Sequence, residues 1–380
     1  MTPILQTQSN AGDFLVNYTA KDPSTIDSEL VEALASGGGP DAVIIPDSKV
    51  IPHQNIFLTI PFSSYPERTF KDAFVDDTES LVSSTGIRAI PLLIDPLVMY
   101  WNRDLYSAAG VVQPPKLWSE FYTLAPKIST YDSTLKLSKS LVALGDAHNV
   151  PHFKQILLTL AQQAGGPDFL NAQATAIETP LASALRFYTQ FSNPSLKAYS
   201  WNTALPNAQN AFLSSTLATY FGFASELPEL QRKNANLNFD MAPLPQTDGS
   251  TQAQTYGTLT AYAIVKSSKH LAEAFNFGVK LSGSDYDSQL SRSIGAAPIR
   301  RDLLSKPIQD AFSPVVYAAA IAARGWLDPS PEQTDKIFTT MVDDAVSNRQ
   351  SNDDAASRAD DELQSLLSQT SSAASARAAQ

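Results

Sequence analysis

The stretch PLLIDPLVMYWNRDLYSAAGVVQPPKLW fills residues 91–118. It opens as an apolar strand, carries Asp95 in mid-strand, and runs into Tyr100 and Trp101. It then meets Pro114-Pro115 and Trp118. A carboxylate within a buried strand needs a reason, because an unpaired buried charge is strongly unfavourable.

Outward from this stretch, 380 residues exceed what one ordinary core holds, so two lobes are expected. Hydrophobic residues make up 43% and charged residues 17%, as in a soluble globular protein. The net charge of -11 and pI near 4.8 argue against nucleic acid and anionic membrane as partners. They are compatible with a cationic ligand, although surface acidity more often serves solubility. The absence of cysteine removes disulfides, thiolate metal sites and cysteine nucleophiles. No apolar run approaches the ~18 residues of a membrane span. Met1-Thr2-Pro3 does not begin a signal peptide, so an export signal is expected outside this chain.

Strand and helix signals alternate at first. FLVNY (14–18) reads as a strand, and Asp22-Pro23 as a helix N-cap with a first-turn proline. Ile26, Leu30, Val31 and Leu34 supply the apolar helix face, Gly37–Gly39 end it, and DAVIIP (41–46) returns as a strand. This pattern predicts a βαβ unit and a parallel sheet. Phe153, Ile156, Leu157, Leu160 and Ala161 keep helical spacing up to Gly165-Gly166. LATYFGFA (217–224) and TLTAYAIV (258–265) read as strands, a helix is expected at 269–281, and helices dominate from 308. The closing SSAASARAAQ is low in complexity and is expected to fray.

Chemical motifs are few. His148 and His152 stand four apart, a zinc-helix spacing, but Pro151 breaks a helix between them, which favours plain loop polarity over metal. SGGGPD (36–41) lacks the Lys-Ser/Thr of a phosphate loop and reads as a helix stop. There is no G-x-S-x-G nucleophile elbow, and no carboxylate pair is singled out for glycoside hydrolysis. No cofactor is called for. Trp101, Trp201, Tyr220, Phe221, Phe223, Tyr256 and Trp326 sit beside polar residues near strand ends. Each alone reads as core; together they suit a cleft that stacks flat ligand faces.

DPLVMYWNRDLYSAAGVVQPPKLWSEF (95–121) resembles the signature of maltose-binding-like extracellular solute-binding proteins, the receptors of ATP-driven importers. LASGGGPDAVIIPD, ATYFGFASEL with NFDMAPLPQ, KSSKHLAEAFNFGVKLSG and APIRRDLL resemble further blocks of that family in order. The resemblance implies an α/β fold of two periplasmic-binding-protein-like lobes, each a central sheet flanked by helices, joined by a hinge. Lobe 1 would take residues 1–96 and 256–300, and lobe 2 residues 97–255 and 301–380, with crossings near 96, 255 and 300. Asp95 would then lie on a crossing strand, facing solvent or ligand. Pro114-Pro115 would start the next lobe's first helix, with Trp118 anchoring it. Leu117 replaces the family's usual threonine, removing an N-cap typically worth ~1 kcal/mol. MTPILQTQSNAGDFLVNY aligns best with the family's first helix and second strand, so the first strand is expected to be missing from lobe 1.

The implied function is capture of a sugar or oligosaccharide by hinge closure and delivery to the permease subunits of an ABC importer. The protein would work as a monomer outside the cytoplasm, extracellular or periplasmic, with lipid anchoring an option. Asp47 and Asp95 are expected to accept hydroxyl hydrogen bonds. Tyr220, Phe223, Tyr256, Trp326 and Trp201 are expected to stack on sugar rings. The alternatives are a non-sugar solute (peptide, polyamine or phosphate ester), a glycoside hydrolase, or an adhesion or scaffold lipoprotein.

Overall fold

The computed structural model describes residues 14–166, 179–306, 308 and 310–378, with side chains to residue 369. In chain order the first elements are α1 (Ile26–Ala35), β1 (Ala42–Pro46), α2 (Glu67–Ala73), β2 (Val82–Ser83), β3 (Gly86–Ile87), β4 (Ile90–Asn102) and α3 (Arg103–Ala108). Then come α4 (Glu120–Ile128), β5 (Thr130–Tyr131), β6 (Leu137–Val142), α5 (Phe153–Gly165), α6 (Pro180–Gln190), α7 (Ala208–Leu213) and β7 (Leu217–Phe223). Next are α8 (Leu227–Lys233), β8 (Phe239–Ala242), β9 (Gly257–Ile264), α9 (Leu271–Leu281), α10 (Ser284–Ile294), β10 (Ala297–Pro298) and α11 (Arg301–Leu304). The chain ends with α12 (Ser313–Ala322), α13 (Pro331–Val346) and α14 (Asn352–Ala378).

The chain divides into two compact units. Unit 1 takes the residues up to Asp95, Gly257–Gln309 and Gly325–Asp328; unit 2 takes Pro96–Tyr256, Asp310–Arg324 and Pro329 onward. The passage out of unit 1 therefore comes later than residue 300. The reason is local: the Arg301 guanidinium binds the Asp76 carboxylate, and the Arg300 N–H lies on Asp287 at 3.1 Å. These contacts keep α11 in unit 1.

In unit 1 the sheet runs β1–β9–β4, with β10 on β4. β1 pairs antiparallel with β9, from Ala42 opposite Ile264 to Pro46 opposite Thr260. The βαβ expectation fails here. Residues 14–18 form no strand, and Leu15 is 86% exposed. The segment is held by the Phe14 ring edge-on to Phe277 at 5.5 Å, not by a backbone ladder. α1 begins three residues beyond the predicted proline, because Asp22 spends its carboxylate on a turn, accepting the Ser24 N–H at 2.8 Å. Gly37, at φ +76°, ends it as expected. The core gathers Phe70, Phe74, Leu81, Ile90, Leu92 and Ile94.

In unit 2 the second half of β4 lies between β7 and β8, both antiparallel to it, and β6 adds to β7 in parallel. Tyr100, Tyr106, Phe121, Tyr188, Phe191 and Phe212 fill the core. The turn after β4 is made by Asn102, whose Oδ1 accepts the Leu105 N–H at 3.0 Å and caps α3. Pro114-Pro115 fall in the loop before α4. The missing threonine at 117 is replaced by Glu120, whose Oε1 accepts the Leu117 N–H at 3.1 Å. Trp118 is buried and donates Nε1–H to Gln163 Oε1 at 2.7 Å, anchoring α4. α14 continues to Ala378, so most of the closing low-complexity stretch lies in helix. Alanine-rich sequence favours helix intrinsically.

Candidate functional site

β7 is a buried strand that ends at Phe223, where Ala224–Glu226 make a single helical turn before α8. That turn closes one wall of a recess of about 420 Å³ in unit 2. Pro151, His152, Asn207, Gln209, Tyr220, Phe223, Ser225, Glu226 and Glu229 line it. Glu226 is its hub. Oε1 accepts the Phe223 N–H at 2.7 Å and contacts His152 Nε2 at 2.8 Å. Oε2 accepts the Tyr220 hydroxyl at 2.6 Å and Gln209 Nε2–H at 2.8 Å. Burial works against this charge, yet the hydrogen bonds from His152, Tyr220 and Phe223 outweigh it and hold the carboxyl below its ordinary value.

This network decides which aromatic ring stays accessible in the recess. Tyr220 is 2% exposed, its ring stacked on Tyr100 at 6.1 Å and its hydroxyl committed to Glu226. Phe223 is only half-buried, set edge-on to His152 at 4.8 Å. Gly222 lets the strand pass between the two: a Cβ there would lie 2.6 Å from Tyr220 Cε1 and 2.9 Å from Glu226 Oε1. Gly222→Ala is expected to destabilise the protein by about 2 kcal/mol through overpacking, measured by urea denaturation.

In unit 1, Asp47 follows directly on β1 and is 5% exposed. Its Oδ2 accepts the Leu259 N–H of β9 at 2.8 Å and Oδ1 the Ser48 N–H at 2.7 Å. Burial, with the nearby Asp77 and Asp328 charges, pushes its carboxyl up to about 7 against these two bonds. Trp326 is half-buried on the short Gly325–Asp328 return. Asp95 is the one residue of β4 that is not buried, and the chain leaves unit 1 immediately after it.

Two more of the expected residues are buried. Trp201 is 1% exposed, with Nε1–H donated to Asn149 Oδ1 at 2.7 Å. Tyr256 is 5% exposed, with its carbonyl accepting the Leu97 N–H at 2.8 Å. His148 pairs with Asp343 at 3.0 Å rather than joining His152. No group of three or more metal-ligating side chains gathers among the described residues. A smaller recess of about 230 Å³ in unit 2 lies among Trp118, Tyr122, Leu160 and Phe187.

The family model described as "Bacterial extracellular solute-binding protein" matches residues 16–281. The chain belongs to this family. Among curated relatives, a binding protein of Brucella abortus (strain 2308) is 23% identical over 283 residues, covering 72% of this chain and 66% of the relative. The chain thus spans 66% of the length of the curated relatives it matches. Among solved structures, the cyclic alpha-maltosyl-1,6-maltose binding protein of Arthrobacter globiformis aligns with a TM-score of 0.79 at 17% identity, covering 96% of this chain and 94% of that one. The sugar-binding protein MalE of Xanthomonas citri gives 0.74 at 18%, covering 97% and 94%. UgpB of Mycobacterium tuberculosis, solved with glycerophosphocholine, gives 0.73 at 15%, covering 97% and 94%. These likenesses establish the two-lobe binding-protein fold.

Within this solute-binding protein, sequence reasoning missed Glu226, His152 and Gln209 as supports of the recess. A signal for Glu226 was present: an acid three residues past a strand-ending residue is the spacing of a capping box. His152 carried none, because its partner lies 74 positions away.

Proposed function

We propose that this solute-binding protein captures a sugar or oligosaccharide and hands it to the permease subunits of an ABC importer. The observation that carries the reading is the recess at the end of β7, where a half-buried Phe223 ring stands beside polar groups of Asn207, Gln209 and Glu229. A sugar offers apolar C–H faces and polar rims, which suits a ring flanked by hydrogen-bonding groups. The likeness to maltosyl-sugar and MalE binding proteins supports the same class. Trp326 of unit 1 is proposed as a second stacking ring, and Asp95 as an acceptor of sugar hydroxyls. Ligand-favoured hinge closure, the mechanism implied by the resemblance, follows when a solute binds one conformation better than the other. The protein is proposed to act as a monomeric binder, not an enzyme, outside the cytoplasm, with lipid anchoring as a further proposal.

Titration calorimetry with maltotetraose and a panel of mono- and disaccharides tests the reading. Trp326→Ala is expected to weaken binding at least tenfold, about 1.4 kcal/mol, with the fold intact by circular dichroism. Unchanged affinity would remove Trp326 from the site. A phosphate ester is a second reading that the UgpB likeness favours, but Glu226 and Glu229 in the recess oppose an anion. A thermal-shift screen separates the classes, because a ligand at 100 times its dissociation constant adds about 2.7 kcal/mol. A shift with glycerophosphocholine or spermidine and none with any sugar would overturn the sugar reading. Release of reducing sugar on incubation would overturn the non-enzyme reading.

A further inference from the structure

The segment Gly325–Asp328 re-enters unit 1 for four residues and carries Trp326 with it. It is seated at a junction of three others. The Asp77 carboxylate accepts the Gly325 N–H. A Cβ on residue 325 would lie 2.6 Å from the Gly257 carbonyl oxygen at the start of β9 and 3.0 Å from Asp77 Oδ1. Two residues along β9, the Leu259 N–H is held by Asp47. Asp77 and Asp328 are each 3% exposed, and both charges act on Asp47.

We propose that Asp77 and Asp47 are positioning residues for Trp326, and that one proton on Asp47 sets how firmly the Gly325–Asp328 segment is seated. With Asp47 neutral, the Asp77 carboxylate grips Gly325 without a like charge on Asp47 beside it. When Asp47 ionises, its charge joins those of Asp77 and Asp328 at a buried junction, and the segment that closes it shifts. Among the described residues, the turn at residues 76–81 sets the Asp77 charge against Asp47, the return segment sets Asp328 against it, and β9 gives it the Leu259 N–H. In its own turn, the Lys49 ammonium is engaged by Asp27. The carboxyl pushed up to about 7 by burial places the change near neutral pH. The inference does not depend on which solute is bound.

The test is fluorine NMR of the ligand-free, full-length protein carrying 5-fluorotryptophan. Its four tryptophans give separable resonances, with Trp326 assigned through Trp326→Phe. Between pH 5 and 9 the Trp326 resonance is expected to move with a single midpoint near neutrality while those of Trp101, Trp118 and Trp201 hold still. Asp47→Asn is expected to fix it at its low-pH position, Asp328→Asn to lower the midpoint, and Gly325→Ala to displace it at every pH. A Trp326 resonance that does not titrate, or that titrates unchanged in Asp47→Asn, overturns the proposal. If Asp47→Asn does not fold, Asp328→Asn decides, an unaltered midpoint counting against the proposal. Because no solute is added, failure here is distinct from failure of the sugar reading.

Discussion

Glu226→Ala is expected to lower stability by about 3 kcal/mol, and Glu226→Gln by less than half as much. The alanine strands four groups at once: the Phe223 N–H, the Tyr220 hydroxyl, the Gln209 amide and the His152 ring nitrogen. Buried donors that lose their acceptor bear the full desolvation penalty, and a charged acceptor is worth more than a neutral one. Glutamine keeps an oxygen for the Phe223 N–H and occupies the same space. Urea denaturation monitored by circular dichroism measures both variants. If the alanine variant loses less than about 1 kcal/mol, Glu226 is not the hub described. Affinity for whichever sugar the calorimetry identifies should fall with the alanine variant as well, because Phe223 loses the bond that fixes its backbone.

The second large effect concerns pH. Asp287 is fully buried in α10 and accepts the Ile299 N–H at 3.0 Å and the Arg300 N–H at 3.1 Å. Burial pushes its carboxyl up to about 7, as it does for Asp47. A carboxyl raised in the folded state keeps its proton there while the unfolded chain, near 3.8, has released it. The stability contributed is therefore complete below about 3.8, declines through the interval, and is gone above about 7. Each such group contributes up to about 1.4 kcal/mol per pH unit in that window. The protein is expected to be more stable at pH 5.5 than at pH 8, by about 2 to 4 kcal/mol for the pair. Thermal unfolding across this range checks the sign, and Asp287→Asn should flatten the curve by about half. A midpoint that rises with pH between 5.5 and 8 would contradict the assignment.

How far these sites were legible in the sequence follows from how local their causes are. β1, β7, β9, α5 and the Gly37 stop rest on short-range patterning, and each falls where periodicity or turn chemistry put it. Pairing is another matter. β1 takes its partner from more than 200 residues later, so a strand-helix-strand pattern reads as parallel where the ladder is antiparallel. The residue-by-residue site shows the same division. Asp47 and Phe223 are legible as strand-end residues, and they stand where β1 and β7 end. The withdrawal of Tyr220 behind Glu226 depends on side-chain direction, which spacing does not encode. Residue type alone marks Trp201, and its burial and its bond to Asn149 come from partners that spacing does not encode.

The antiparallel partnership of β1 with β9 also sets a timetable for the newborn chain. Ala42 leaves the ribosome more than two hundred residues ahead of Ile264, its opposite number. At roughly 5–20 residues per second, AVIIP waits ten seconds or longer with no mate for its backbone. Such a polypeptide stays open to chaperones and to threading through a translocase in the meantime. Cutting the gene anywhere between these two positions puts the paired strands on separate fragments, which must then find each other by association.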